Sequence, residues 1–176
     1  MLDDIFKEIV VNINTVITAI STLSAVLITN FFNLRSAKQN LDFMLEKKKS
    51  ELKLEKIEEL YVLFEKWQAA LKSIYLTHLS VFVGELSHEQ ALEKGGNKNH
   101  YESEAFQKLK ALLHIHFPEL KEKYTPIDDA RNDISPFLND PKYSGLTEKE
   151  FCEKQDQFDS NCLDFKKALS GYATNL

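Results

Sequence analysis

Residues Ile9–Leu34, IVVNINTVITAISTLSAVLITNFFNL, decide how the rest of the chain is read. The stretch holds no charged residue, no Gly and no Pro, and it exceeds the roughly 20 apolar residues that span a bilayer as a helix. At about 100° per residue it divides into two halves. Ile9, Val10, Ile13, Val16, Ile17, Ile20, Leu23, Leu27, Ile28 and Phe31 fill one half, interrupted by Ser24. Asn12, Asn14, Thr15, Thr18, Ala19, Ser21, Thr22, Ala25 and Thr29 fill the other, with Val11 and Val26 among them. Small residues four apart (Thr15/Ala19, Thr18/Thr22, Ser21/Ala25) let two helices approach closely in lipid.

The polar half has two readings. It is a packing face in a dimer or small bundle, or it lines a water-filled path, and buried amides such as Asn12 and Asn14 favour water or a partner. Both readings require self-association. A soluble amphipathic helix buried in an oligomer is a third. A cleaved signal peptide is disfavoured, because the apolar region exceeds the usual ~7–15 residues and the preceding MLDDIFKE is acidic. Arg35, Lys38 and Lys47–Lys49 follow the stretch, against Lys7 alone before it. The positive-inside rule then places the N-terminus outside and the remainder in the cytoplasm, which for a bacterial chain means the inner membrane.

From Arg35 a helical pattern runs on without Gly or Pro to Val83. Residues 35–56 are rich in mixed charge and sparse in apolar positions, as in a solvated stalk or loose coiled coil. From Ile57 the pattern tightens to Leu60, Tyr61, Phe64, Trp67, Leu71, Ile74, Tyr75, Leu79 and Phe82, the core face of a bundle helix that Gly84 ends. Ser87 with Gln90 and Thr147 with Glu150 read as capping boxes. A flexible-looking GGNKNH link over 95–100 precedes a helix from about His100 to Phe117, with Phe106, Leu109, Leu112, Leu113 and His116 on one face. Pro118 stops that helix or opens the next. Leu120 to Leu138 keeps a helical period across Pro126, as one helix kinked or briefly broken there. After the turn-rich NDPKYSG, a last helix carries Phe151, Phe158, Phe165 and Tyr172 at sevens and ends near Gly171. The expected fold is all-α: an N-terminal segment and transmembrane helix (1–34), a charged helical stalk (35–56) and a cytoplasmic bundle of about four helices (57–176).

Composition excludes several functions. The net charge of -5, with Arg35 and Arg131 the only arginines, argues against an extended nucleic-acid surface. Cys152 and Cys162 are too far apart on one helix to bridge each other, and no CxxC accompanies them. Free thiols suit the reducing cytosol. Glu85-x-x-His88 is half of a di-iron signature whose second half is missing. His114 and His116 point nearly opposite ways on a helix, and His116 reads as a core residue. With no nucleophile–base arrangement or phosphate-binding glycine loop, the chain is not expected to be an enzyme or to hold a metal or cofactor. Lys108, Lys110, His114 and Lys121 form a modest basic neighbourhood that, with Arg131, is the candidate site for a small anionic or nucleotide ligand. For the lysines a solvated face, and for Arg131 an ion-pair network with Asp128, Asp129 and Asp133, are the plainer readings.

A polar-faced single span, a charged stalk and a compact helical domain together resemble the small membrane effectors of bacterial anti-phage systems. The layout is most similar to the channel-forming subunit of Hailong-type defence. That resemblance implies a homo-oligomer whose membrane helices conduct and whose cytoplasmic domain receives a signal, from a nucleic-acid-like ligand or an operon-encoded partner protein. The alternative is a non-conducting membrane-anchored scaffold or regulator whose bundle binds a protein.

Overall fold

The structure is a computed structural model that describes residues 1–96 and 99–175, with side chains described for all of these except 4, 8, 96 and 99–103. The fold is all-α, and among the described residues no strand occurs. Six helices follow in chain order: α1 (Leu2–Phe82), α2 (His88–Gly96), α3 (Asn99–His116), α4 (Lys121–Ile134), the single turn α5 (Pro141–Ser144) and α6 (Glu148–Thr174). Short 3-10 turns at Pro118–Leu120 and Ser135–Leu138 bracket α4. The chain divides into two compact units, Met1–Lys49 and Ser50–Leu176.

In the first unit every described side chain is exposed. The helix here contains a segment long and apolar enough to cross a membrane, with mean hydropathy 1.8 over its most apolar window and none of that window buried. Ile9, Ile13, Ile20, Leu27 and Phe31 are all at least half exposed. An exposed apolar face of this extent is of the kind that marks contact with lipid or with another protein.

The second unit is built on a seam between α1 and α6. In chain order its first buried side chain is Ile57, followed by Leu60, Phe64, Trp67, Ile74 and Tyr75. The sevenfold aromatic ladder of α6 meets this face: Phe82 lies 5.3 Å from Phe151, Tyr75 5.5 Å from Phe158, and Phe64 4.9 Å from Phe165, between ring centroids. Numbers fall along α1 as they rise along α6, so the two run antiparallel. Lys72–Asp159 at 2.8 Å and Glu65–Lys166 at 2.9 Å flank the rings. α3 closes one side through Trp67 stacked on Phe106 at 5.4 Å, and α4 adds Tyr124, Ile127, Ala130 and Ile134. Tyr61, expected in the core, is instead exposed, because the seam follows the 57–60–64 line and leaves position 61 on its outer edge.

The helix ends obey local chemistry. Gly84 takes φ +79°, and its N–H donates to the Val81 carbonyl while the Glu85 N–H donates to that of Ser80. This glycine-dependent pattern closes an α-helix. Both capping boxes form: Ser87 with Gln90 at 2.9 and 3.2 Å, Thr147 with Glu150 at 2.9 and 3.3 Å. Pro118 opens a 3-10 turn that leads into α4. α4 runs through Pro126 without a break, and Asn161 of α6 donates to the Pro126 carbonyl at 2.8 Å. α6 passes Gly171 and ends at Thr174, where the Thr174 hydroxyl and Asn175 amide donate to the Gly171 carbonyl. Of the GGNKNH link, residues 97 and 98 lie outside the described residues.

We predict that Phe165→Ala destabilises the bundle by about 3–5 kcal/mol, and Thr147→Ala by about 1 kcal/mol, read as shifts in the denaturant midpoint of circular dichroism. Equal small effects from both would contradict the seam's central place.

Candidate functional site

Two groups of residues carry the functional expectations, one in each unit. On the span, four threonines turn their hydroxyls back to the carbonyl one turn earlier: Thr15 to Val11, Thr18 to Asn14, Thr22 to Thr18 and Thr29 to Ala25, at 2.8–2.9 Å. These donors are thereby satisfied before any partner arrives. Among the described residues the side chains of Asn12 and Asn14 have no such bond. A shallow groove of about 650 Å³ runs along the helix, lined by Val11, Asn14, Thr15, Thr18, Ala19, Thr22 and Leu23. It collects Asn14, Thr15, Thr18, Ala19 and Thr22. Asn12, Ser21, Ala25 and Thr29 lie outside its lining, on flanking parts of the same polar half.

In the bundle the basic residues are largely committed to carboxylates. Lys108 pairs with Glu59 at 2.7 Å, and Lys56 reaches the same carboxylate at 2.8 Å. Their hydrogen bonds hold the Glu59 pKa well below the usual carboxylate range, Lys108 contributing most. Lys110 pairs with Asp128 and lies over the rings of Phe106 and Tyr124. His114 and Lys121 are exposed. Arg131 is 3.7 Å from Asp128, beyond hydrogen-bond length, and its guanidinium is 4.9 Å over the Phe106 ring. Asp133 pairs instead with Lys154 at 2.7 Å. Lys110 and Arg131 thus share Phe106 and Asp128, whereas Lys108 is drawn to α1.

The histidine expectations change places. His116 is exposed, because α3 ends there and the fully buried Phe117 takes the inward position as the chain turns into Pro118. Among the described residues the buried histidine is His78 of α1, 5% exposed, with its ring 5.8 Å from that of His88. Its position was marked in the sequence: it follows Ile74 by four and Tyr75 by three, on the core face. Cys152 and Cys162 are free thiols. Burial pushes the Cys162 thiol up to about 12, so it is not a nucleophile at neutral pH. Among the described residues no three His, Cys, Asp or Glu gather as metal ligands.

The chain matches no protein-family model, no curated protein and no solved structure.

Burial, with His88 nearby, lowers the His78 pKa below the ordinary histidine value. The unfolded chain therefore takes up this proton at a higher pH than the folded one. Stability contributed by neutral His78 is present above about pH 6.5, falls as pH drops through that value, and levels off below the folded pKa. We predict a lower unfolding midpoint at about pH 5.5 than at about pH 7.5, read by Trp67 fluorescence, with His78→Gln reducing the difference. An unchanged difference in that variant assigns the effect elsewhere.

Proposed function

We propose that the chain is a membrane effector that assembles with copies of itself through the polar half of its span and forms a pore or ion channel, gated by the helical bundle. The observation that carries this reading is the unequal satisfaction of the polar face. Its threonine hydroxyls are bonded within the helix, while the amides of Asn12 and Asn14 still need partners. An unsatisfied amide in hydrocarbon costs several kcal/mol, on the order of 2–7, so the face is driven toward neighbouring helices or water. Small residues along the groove permit close approach, and a ring of such helices encloses a polar path.

The excess of Lys and Arg after the span supports an orientation with the bundle in the cytoplasm, at the inner membrane of a bacterial cell. The resemblance in layout to channel-forming anti-phage effectors supports a role in antiviral defence, with the bundle receiving a ligand or partner protein. A non-conducting scaffold is the second reading. The inward-bonded threonines favour it, because they suit dry helix packing.

We predict that the wild-type chain, found in the carbonate-washed membrane fraction, lowers membrane potential on overexpression or during phage challenge. The triple variant Asn12→Leu, Asn14→Leu, Thr15→Leu should insert equally and leave the potential intact. Unchanged potential with wild type under every inducing condition, despite membrane insertion and chemical cross-linking to itself, leaves the scaffold reading.

A further inference from the structure

A cleft of about 450 Å³ opens in the Ser50–Leu176 unit, between α1, α2 and the end of α4. Its floor is apolar and comes from Leu71, Ile74 and Tyr75 of α1, with Leu138 at one side. Leu92 of α2 forms part of the rim and is 53% exposed. The polar lining is His78, Arg131, Asn132 and Ser135. The last three fall on one side of α4 and its following turn, opposite the buried His78 of α1.

We infer that this cleft is a binding site for a small organic anion, a carboxylate or phosphate carried on an apolar or aromatic body. Three features converge. The volume lies within the roughly 300–1,000 Å³ of ordinary ligand sites, and the pattern of apolar walls with a few polar groups is theirs. The described lining contains one permanent cation and no Asp or Glu, although acidic residues outnumber basic ones in the chain, 27 to 22. Arg131 also keeps hydrogen-bonding capacity, because the nearer Asp128 oxygen stands 3.7 Å from the guanidinium, beyond hydrogen-bond length, while Lys110 bonds the other oxygen. The Phe106 ring lies 4.9 Å from the guanidinium carbon, and the planar fork of an arginine is suited to bidentate capture of a carboxylate or phosphate. Asn132 and Ser135 add further hydrogen-bonding groups. The inference stands apart from whether the span conducts, and if it does, the cleft is where a small ligand would be read.

The test is ligand-observed fluorine NMR on the full chain in lipid nanodiscs, with empty nanodiscs subtracting partition into lipid. Probes are 4-(trifluoromethyl)benzoate, 4-(trifluoromethyl)phenyl phosphate and the neutral 4-(trifluoromethyl)benzamide. The expected result is line broadening of one or both anions and little of the amide, with carboxylate and phosphate separated by which binds tighter. Arg131→Gln should weaken anion binding at least about tenfold, as loss of a charged hydrogen-bond partner does. Leu92→Trp, at an exposed rim position that leaves the core alone, should abolish binding while the helical circular dichroism is unchanged. Equal binding of amide and anions, undiminished binding by a folded Arg131→Gln, or no broadening of either anion at millimolar probe overturns the assignment. Membrane potential does not enter the readout, so failure here and failure of the channel reading are told apart.

Discussion

The antiparallel meeting of α1 with α6 is the contact on which the bundle depends. Phe64, Tyr75 and Phe82 receive Phe165, Phe158 and Phe151 in turn, and each ring removes a large apolar area from water at roughly 25 cal/mol per Å². The other elements are placed by this seam. Trp67 brings in Phe106 and so α3, while Tyr124 reaches Phe165 and so fixes α4. His78 owes its burial to the same face. The cleft lies beside it, where Leu92 of α2 and Arg131 of α4 approach this part of α1.

One helix meets two different demands. Over residues 1–49 every described side chain is exposed, and from Ile57 the helix is the central wall of a core. An uninterrupted backbone without Gly or Pro before position 84 tolerates both, because helical hydrogen bonds are internal and indifferent to the surroundings. What changes is which side chains need company. In the bundle the need is met inside the chain; on the span the apolar half and the two asparagines leave it open.

Much of the fold was legible because it rests on local rules. The 3.6-residue periods of α3, α4 and α6, both capping boxes and the stop at Gly84 all arise from residues close in sequence. The misreadings came where a neighbour distant in sequence, or a change of direction, decides the outcome. His116 kept the apolar period of α3, yet the turn at Pro118 gave its place to Phe117. Gly171 looked like a helix end, but a helix tolerates glycine where later side chains cap its carbonyl. Of the candidate ligand residues, Lys108 and Lys110 read as a basic neighbourhood, since nothing nearby in sequence names Glu59 and Asp128 as their partners. His78 was overlooked through being polar on an apolar stripe, although its spacing from Ile74 and Tyr75 gave it away.

The two ion pairs beside the seam have a role beyond their modest strength. Aromatic side chains repeating at sevens are nearly degenerate: α6 displaced by one heptad would again set rings near rings. Displacement in one direction brings Lys72 toward Lys166, and in the other Glu65 toward Asp159. Either slip sets like charges together where the native alignment pairs opposites. Surface charge thus lifts an ambiguity that the hydrophobic ladder leaves, and selects one of several nearly equivalent alignments.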